Sequence, residues 1–504
     1  MSNAFMFRHT TEAAMLTGIP TDMPIRVAWS ETRHVCSSPS LLVISHLLTM
    51  KRGPNWIHGT DDNPVWQIAK EAASLCVVPD TMHVFEPSGT IMPEELAESG
   101  LETVWEIIEQ AFKYSNEDCL NIKAGLNLED FFREKLAEGE LTEEEKARIL
   151  LLAEMWGSFI GDSWTRQSLR WFWLEECLEG ENLYVMENHA PVIQRVAAKT
   201  LERADVRLST PARSIESTVA DGGDPKIAVK TDGEVFEFDE VVVAVPLGCL
   251  KRMEPTFVPP LPPRIQRAVK NASYSSLEKV YITFPAAYWD GAEPFPSFGH
   301  FLHPEYVPEQ QRHWSIEMLP LSSPTVFGSH AKPTLLIYTH DPCASHVTSL
   351  IRGLDRQSRE FFEVLDRFFK PYYSRLPNYR DGHPDCKPAG IIATDWHGDN
   401  LAGNGSYTNF QANTTVDGEG IQLDEDIRAM REGLPELGIW LAGEHTAPFV
   451  GLGTTTGAYW SGESAAVRVL AANGLAERVV TAKAEAGVDA AADVPSDVAS
   501  ASDK

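Results

Sequence analysis

The sequence predicts an α/β fold with more than one domain, one assembled from separated stretches of chain and another interleaved with it. Three observations carry this expectation. The chain has 504 residues, more than a single hydrophobic core usually serves. Strand-like segments at 200–250 and 385–470 flank stretches of different character at 92–180 and about 271–380. Finally, "LGIWLAG" reads as a buried strand that opens into a loop of small residues, after which Ala458, Ala465, Ala466, Val469 and Leu470 recur at helical spacing.

In chain order, "PIRVAW" (24–29) is a candidate strand in an otherwise aperiodic first fifty residues. From about Met92 to Gly180 the chain is helical and acidic. Leu96, Leu101, Val104, Ile107, Ile108 and Phe112 form one stripe, and "TEEEKARILLLAEMWGSFIG" and "LRWFWLEECLEG" continue the helical pattern. Between Asp205 and Leu250 the period changes to two, giving strands with a turn at Thr231-Asp232-Gly233. "EKVYITF" alternates so that Lys279 and Tyr281 share one face, with Val280 and Ile282 on the other. Irregular loops are expected from Pro285 to Pro342, then a helix around "RQSREFFEVLDRFF" and a strand at "AGIIATDW". The tail beyond Asn473 lacks aromatic residues and reads as disordered.

Bulk properties narrow the function. A net charge of −29 argues against a nucleic-acid backbone or an anionic membrane as partner and would attract cationic small molecules, solubility alone being the bland reading. Seven scattered cysteines without a CxxC give neither a disulfide framework nor a zinc site, so a reducing, cytoplasmic compartment is expected. No apolar run is long enough to span a bilayer, and "SLLVISHLLTM" lacks a signal-peptide cleavage site.

Four clusters could carry chemistry, and each has a bland alternative. In "GEHTAPFVGLGTTTG", small residues let a ligand approach the backbone, and a helix start holds negative charge; a tight strand-to-helix turn is the other reading. "GPNWIHGTDDNP" sets Trp56 beside His58, a possible proton carrier or an ordinary polar contact. Lys279 sits among apolar neighbours and must reach solvent at a sheet edge or be held by partners. In "TDWHGDNLAGNGSYTNF", Trp396 and Tyr407 bracket a glycine-rich loop, for stacking on a flat ring or for packing.

Taken together and in order, "GPNWIHG", "VVVAVPLGCLK", "LEKVYITFPAAYW", "DWHGDN…GSYTN" and "LAGEHTAPFVGLGTTTGAYWSG" resemble the motifs of the flavin-dependent amine oxidases. The likeness is greatest to the polyamine oxidases and extends to lysine-specific histone demethylases and monoamine oxidases. It covers about Gly53 to Leu470. It implies a discontinuous, Rossmann-like FAD-binding domain from 1–91, 181–270 and 385–472, and a substrate domain from 92–180 and 271–384, followed by an acidic tail at 473–504. It further implies that Gly53, Pro54, Asn55, Trp56 and Trp396 line the flavin, that Gly443 and Glu444 lie along its hydroxylated chain, and that Ala212 meets the adenine. Thr454 and Thr455 would begin the helix facing the pyrimidine end of the ring. Lys279 would hold a water near flavin N5, and His58 and Tyr407 would contact the amine, with Thr454 replacing a second cage aromatic. The implied reaction is hydride removal from a polyamine carbon beside nitrogen, imine hydrolysis to aldehyde and amine, and reduction of O2 to H2O2, with FAD bound non-covalently.

The first fifty residues depart from this pattern. They contain no GxGxxG, the unit whose backbone N–H groups hold the FAD diphosphate. "IRVAWSETR" is similar to the family's second strand, with Glu31 as the ribose-binding acid and Arg33 beside it, so the N-terminal βαβ unit is expected to be incomplete. The alternatives are a catalytically dead scaffold from a truncated reading frame, or a lysine-demethylase-like oxidase.

Overall fold

The structure is a computed structural model, and it describes residues 53–475 apart from 80, 221–222, 254, 292–294 and 413–421, together with the strand backbones Asn3–Phe7 and Ile25–Trp29. Glu31, Arg33 and residues 476–504 lie outside the described residues.

A five-stranded sheet takes strands from three separated stretches, in the order Ile439–Leu441, Glu240–Ala244, Asn3–Phe7, Ile25–Trp29, Ala204–Leu208. Glu240–Ala244 runs parallel to Ile439–Leu441, and Ile25–Trp29 parallel to Ala204–Leu208. The central strand Asn3–Phe7 is antiparallel to both of its neighbours. Four strands therefore share one direction and the middle one is reversed. A four-stranded sheet, Val235–Phe238, Pro225–Lys230, Ser214–Val219 and Thr256–Val258, packs beside it through Ile227, Val229, Phe238, Val241 and Val243. The period-two reading of 205–250 holds here, and Thr231 closes its turn by accepting from Glu234 N at 3.0 Å.

The second unit is a six-stranded sheet in the order Gly390–Ala393, Leu277–Thr283, Thr334–His340, Ile316–Pro320, Phe298–Phe301, Met82–Phe85. One face packs Val280, Ile282, Ile337, Phe369 and Tyr372 into an apolar core under the helix Arg359–Tyr373. Three of these strands fall between Pro285 and Pro342, where the sequence pattern suggests irregular loops. The run "TLLIYTH" is buried throughout, so it carries no alternation to read. Met82–Phe85 pairs with Phe298–Phe301 and Gly390–Ala393 with Leu277–Thr283, so the second unit takes in strands on the far sides of 91 and 385.

A helical layer covers part of the second unit, packing Val84 and Leu302 into its core. The helix Glu94–Asp118 buries Val104, Ile107 and Ile108, but its N-terminal contact runs through Ala97 and Gly100, leaving Leu96 38% exposed. A Cβ on Gly100 would lie 2.4 Å from Leu152 Cδ1, so the bare backbone is what lets the helix Glu143–Ala153 approach. "LRWFWLEECLEG" forms one 3-10 turn, Phe172–Glu175, where the sequence pattern suggests continued helix. Trp171 and Leu174 enter one core while Phe172 enters another, and a regular helix presents one apolar stripe to one core.

Candidate active site

Lys279 organises the site. Its strand, Leu277–Thr283, lies inside the sheet, so the side chain has no edge through which to reach water and is 6% exposed. Its Nζ donates to Gly53 O and to Asn55 Oδ1, which fixes the two segments against each other. Asn55 Nδ2 in turn donates to Tyr184 OH and Tyr281 OH, both at 3.3 Å, and Trp56 Nε1 donates to Tyr338 OH at 3.1 Å. Burial pushes the Lys279 ammonium down to about 7, opposed by the charge of the adjacent Glu278. The amine therefore titrates near neutrality, which suits a group that holds and releases a proton.

Glu278 faces the other way and ties the next cluster to this strand. It accepts from Thr394 Oγ1, from Ser276 Oγ at 3.1 Å, from His397 N at 2.9 Å and from the backbone N–H of Trp396. The loop bearing Trp396 is thereby fixed one residue from Lys279.

His58 is half-buried. Gly59 N donates to Asn182 Oδ1 at 3.3 Å, and His58 Nδ1 lies 3.1 Å from the same oxygen. A backbone N–H can only donate, so that atom is the amide oxygen, and His58 carries its hydrogen on Nδ1. Burial lowers its pKa, leaving a neutral ring whose Nε2 lone pair can accept a hydrogen bond. Asn63 anchors this loop by donating to His58 O at 3.1 Å and Gly59 O at 2.7 Å, and its Oδ1 accepts from Thr456 Oγ1 at 3.1 Å.

That last contact joins the loop to the closing helix, Thr455–Ala472. Thr454 is its N-cap: Oγ1 accepts from Gly457 N at 2.9 Å and donates to Gly451 O at 2.8 Å. Thr454 thus serves the helix start rather than offering a free hydroxyl. Thr455 differs. Its Oγ1 is buried and has no hydrogen-bond partner among the described residues, an arrangement that is costly unless something else fills it. Gly443 ends the strand Ile439–Leu441 at φ +136, a conformation that favours glycine, and its N–H donates to Ser461 Oγ at 2.9 Å.

Glu444 binds inward to protein rather than outward. Its Oε1 accepts from Thr408 N at 3.2 Å and Thr408 Oγ1 at 2.9 Å, and its Oε2 from Gly453 N at 3.1 Å. It holds the strand Tyr407–Asn409 against the Gly453–Thr454 turn, where Tyr407 Cδ2 lies 3.7 Å from the place a Gly453 Cβ would take. Tyr407 OH donates to Phe159 O at 2.8 Å. Ala212 lies in the loop between Ala204–Leu208 and Ser214–Val219 and packs on the first unit's core, and Pro54 is exposed.

The fold thus brings Gly53, Asn55, Trp56, Lys279 and Trp396 into one connected network and links it through Asn63 to the Thr454–Thr456 turn. Sequence patterns missed Tyr184, Tyr338, Asn63 and Asn182, whereas the alternation in "EKVYITF" had already put Tyr281 on the face of Lys279. Of those missed, Tyr338 left a trace, as a polar tip in an apolar strand.

The ring end of a flavin fits these residues. The residues include a helix N-terminus, a buried Thr455 hydroxyl without a partner among the described residues and a near-neutral lysine, each a group that can bind a flat ring that becomes negatively charged at one end. The diphosphate end is different. The reversed strand Asn3–Phe7 occupies the middle of the sheet, so among the described residues no parallel central strand leads into a helix N-terminus.

Two interleaved units frame the site, one a five-stranded sheet with four strands in one direction around a reversed middle strand, the other a six-stranded sheet carrying a buried lysine. The model of the flavin containing amine oxidoreductases matches residues 48–470, and the chain belongs to that family. It is 25% identical over 257 residues to probable polyamine oxidase 4 of Arabidopsis thaliana, covering 48% of this chain and 50% of the relative. It is 30% identical over 122 residues to the lysine-specific histone demethylase 1B of Mus musculus, covering 24% of this chain and 14% of that protein. The chain therefore spans half or less of the length of these relatives. Among solved structures, the cyclohexylamine oxidase of Brevibacterium oxydans superposes with a TM-score of 0.57 at 15% identity, over 83% of this chain and 87% of the other. A redesigned putrescine oxidase superposes with a TM-score of 0.58 at 16% identity over the same shares. At such identities the likeness concerns the fold. Among the described residues, no helix is long and apolar enough to cross a membrane.

Proposed function

We propose that this protein is an FAD-dependent amine oxidase acting on polyamines, converting the amine with O2 and water to an aldehyde, a shorter amine and H2O2. The observation that carries the reading is Lys279, buried on an interior strand with its amine titrating near 7 and its Nζ on Gly53 O and Asn55 Oδ1. FAD, when bound, supplies the acceptor for two electrons from the C–H bond beside nitrogen. Gly53, Asn55, Trp56 and Trp396 would border its ring, Thr455 and the helix start its pyrimidine end. Lys279 holds a proton, directly or through a water, at the substrate-sheet side of the site. His58, neutral and with Nε2 free to accept, takes a hydrogen bond or proton from the substrate ammonium, since only an unprotonated nitrogen can release the adjacent hydride. Tyr407 supplies one aromatic wall for the alkyl chain. A net charge of −29 favours a polycation over a neutral amine.

The test is reconstitution of the full chain with FAD, followed by visible absorbance and peroxide release with spermine, spermidine, putrescine and a methyl-lysine peptide. Flavin absorbance with peroxide from the free polyamines supports the reading. Peroxide only from the peptide favours a demethylase-like enzyme. A second reading, a scaffold that binds no FAD, draws on the reversed central strand. It predicts that titrated FAD shows no saturable fluorescence quenching.

A further inference from the structure

A cavity of about 380 Å³ opens where the two units and the helical layer meet, and none of the residues grouped around Lys279 lines it. Its walls come from the helix Leu247–Lys251, from the end of the helix Pro263–Asn271 and the strand Ser273–Ser275 that follows. The turn carrying Asp162 and Arg166 and the residue Asp341, just beyond the strand Thr334–His340, complete it. Small molecules commonly bind in such clefts between units.

Five charged side chains line the cavity, and they are unequally satisfied. Asp162 is buried, accepts from Ser163 N at 2.7 Å and from Gln411 Nε2, and pairs with Arg166 at 3.2 Å. Arg166 also donates to Gln411 Oε1, so its guanidinium is spent on the protein. Asp341 Oδ1 accepts from Ser345 N at 3.0 Å and from Ser345 Oγ. The two lysines differ. Lys251 Nζ donates to a neutral acceptor, Lys270 O, at 3.0 Å, and burial alone lowers its pKa to about 8. Neither Lys251 nor Lys270 has a carboxylate partner among the described residues.

The neutral groups on the wall add a donor and no free acceptor. Ser273 Oγ accepts from Gln411 N at 3.3 Å and has no acceptor for its own hydrogen among the described residues. Tyr274 spends its hydroxyl hydrogen on Ala402 O at 2.7 Å. Two ammonium groups and one hydroxyl hydrogen are therefore left open, with three cations facing two carboxylates. In a chain of net charge −29 this is a local reversal of sign. A partly desolvated ammonium without a counter-charge is costly, and an anion placed beside it offsets that cost. Lysine is a point charge on a flexible stem, so carboxylate and phosphate oxygens can both serve.

Independently of the amine-oxidase reading, we propose that this cavity binds a small dianion, a phosphate or a dicarboxylate, between the Lys251 and Lys270 ammonium groups with the Ser273 hydroxyl as a third donor.

The experiment titrates the full chain calorimetrically with inorganic phosphate and with succinate at constant ionic strength, with chloride as the control anion. Wild type should bind one equivalent of at least one of the two dianions saturably, and should not bind chloride. Tighter binding of phosphate assigns the site to phosphate compounds, and tighter binding of succinate to dicarboxylates. Lys251→Gln and Lys270→Gln should each raise Kd about tenfold or more, while Lys270→Arg, which keeps the charge, should change it far less. Lys270 is exposed at its helix end, so its variants test the site even where Lys251→Gln disturbs packing. The dianion that binds should also raise the Tm of wild type and leave that of the double variant unchanged. No saturable binding of either dianion up to about 20 mM, a concentration well above that of a useful site, overturns the proposal. Binding that survives both lysine substitutions unchanged overturns it as well.

Discussion

Lys279 cannot be replaced without disturbing two partners, since Gly53 O and Asn55 Oδ1 both depend on its Nζ. Lys279→Met should lower kcat with a polyamine about 10²–10⁴-fold, the range for loss of a positioned proton carrier, as measured by peroxide release. The same variant reports on titration. The folded-state pKa of about 7 lies below the unfolded value, so between roughly pH 7 and 10.5 the unfolded chain binds the extra proton. The lysine's cost to stability is full below pH 7 and is relieved as pH rises through that window. The stability difference between wild type and Lys279→Met should therefore move in favour of wild type from pH 7 to pH 10, by up to about 1.4 kcal/mol per pH unit, read from urea unfolding. Glu317 carries the opposite sign. Its carboxyl is pushed up to about 7 by burial, so the cost of its charge grows as pH rises from 4.5 to 7. Glu317→Gln should stabilise the protein by about 1–3 kcal/mol at pH 8 relative to its effect at pH 4.5. At this scale Lys279 was legible as a lysine among apolar neighbours, whereas its partners were not, because nothing local in "GPNWIHG" says which strand Asn55 will meet.

The closing helix shows how an element sets the site. Thr454 caps it by accepting from Gly457 N, and Thr454→Val should cost about 1 kcal/mol in unfolding experiments. Gly457 is under a harder constraint, since a Cβ there would lie 1.7 Å from Gly451 O. Gly457→Ala should cost several kcal/mol and displace the Thr454–Thr456 turn, in line with overpacking at a backbone contact; the check is a lower Tm together with weaker flavin binding. The small residues of "GLGTTTG" therefore serve close packing and a helix start at once, and the two readings of that loop do not compete. Elements with clear period, such as Leu277–Thr283 and Arg359–Tyr373, were visible in the sequence. The strands Phe298–Phe301, Ile316–Pro320 and Thr334–His340 were not, because they are short, flanked by proline or histidine, or apolar on both faces.

For the molecule as a whole, the two ends of the proposed flavin site differ in kind. The proposed ring end is lined by the described Gly53, Asn55, Trp56, Lys279 and Trp396, while the middle of the five-stranded sheet is filled by a reversed strand. Affinity should then come mainly from the ring. Riboflavin or FMN is expected to compete with FAD within about tenfold, where a diphosphate cradle at a helix N-terminus would favour FAD far more strongly. Competition by fluorescence quenching measures this. The acidic surface makes a separate prediction: raising ionic strength from 0.05 to 0.5 M, across the range where the Debye length shrinks well below about 10 Å, should raise KM for spermine much more than for a monoamine.

By itself the sequence determined the family, the interleaved order of the two units, and Lys279, His58, Glu444 and the threonine turn as the residues to watch, because motif identity and strand or helix period are local properties of the chain. The tertiary structure alone decided which groups touch. It placed Lys279 on Gly53 and Asn55, turned Glu444 onto Thr408 and Gly453, left the Thr455 hydroxyl without a partner among the described residues, and set Glu317 in register with Lys279 two strands away. Pairing across a sheet and the desolvation of a buried charge depend on residues hundreds of positions apart, and no window of sequence contains them.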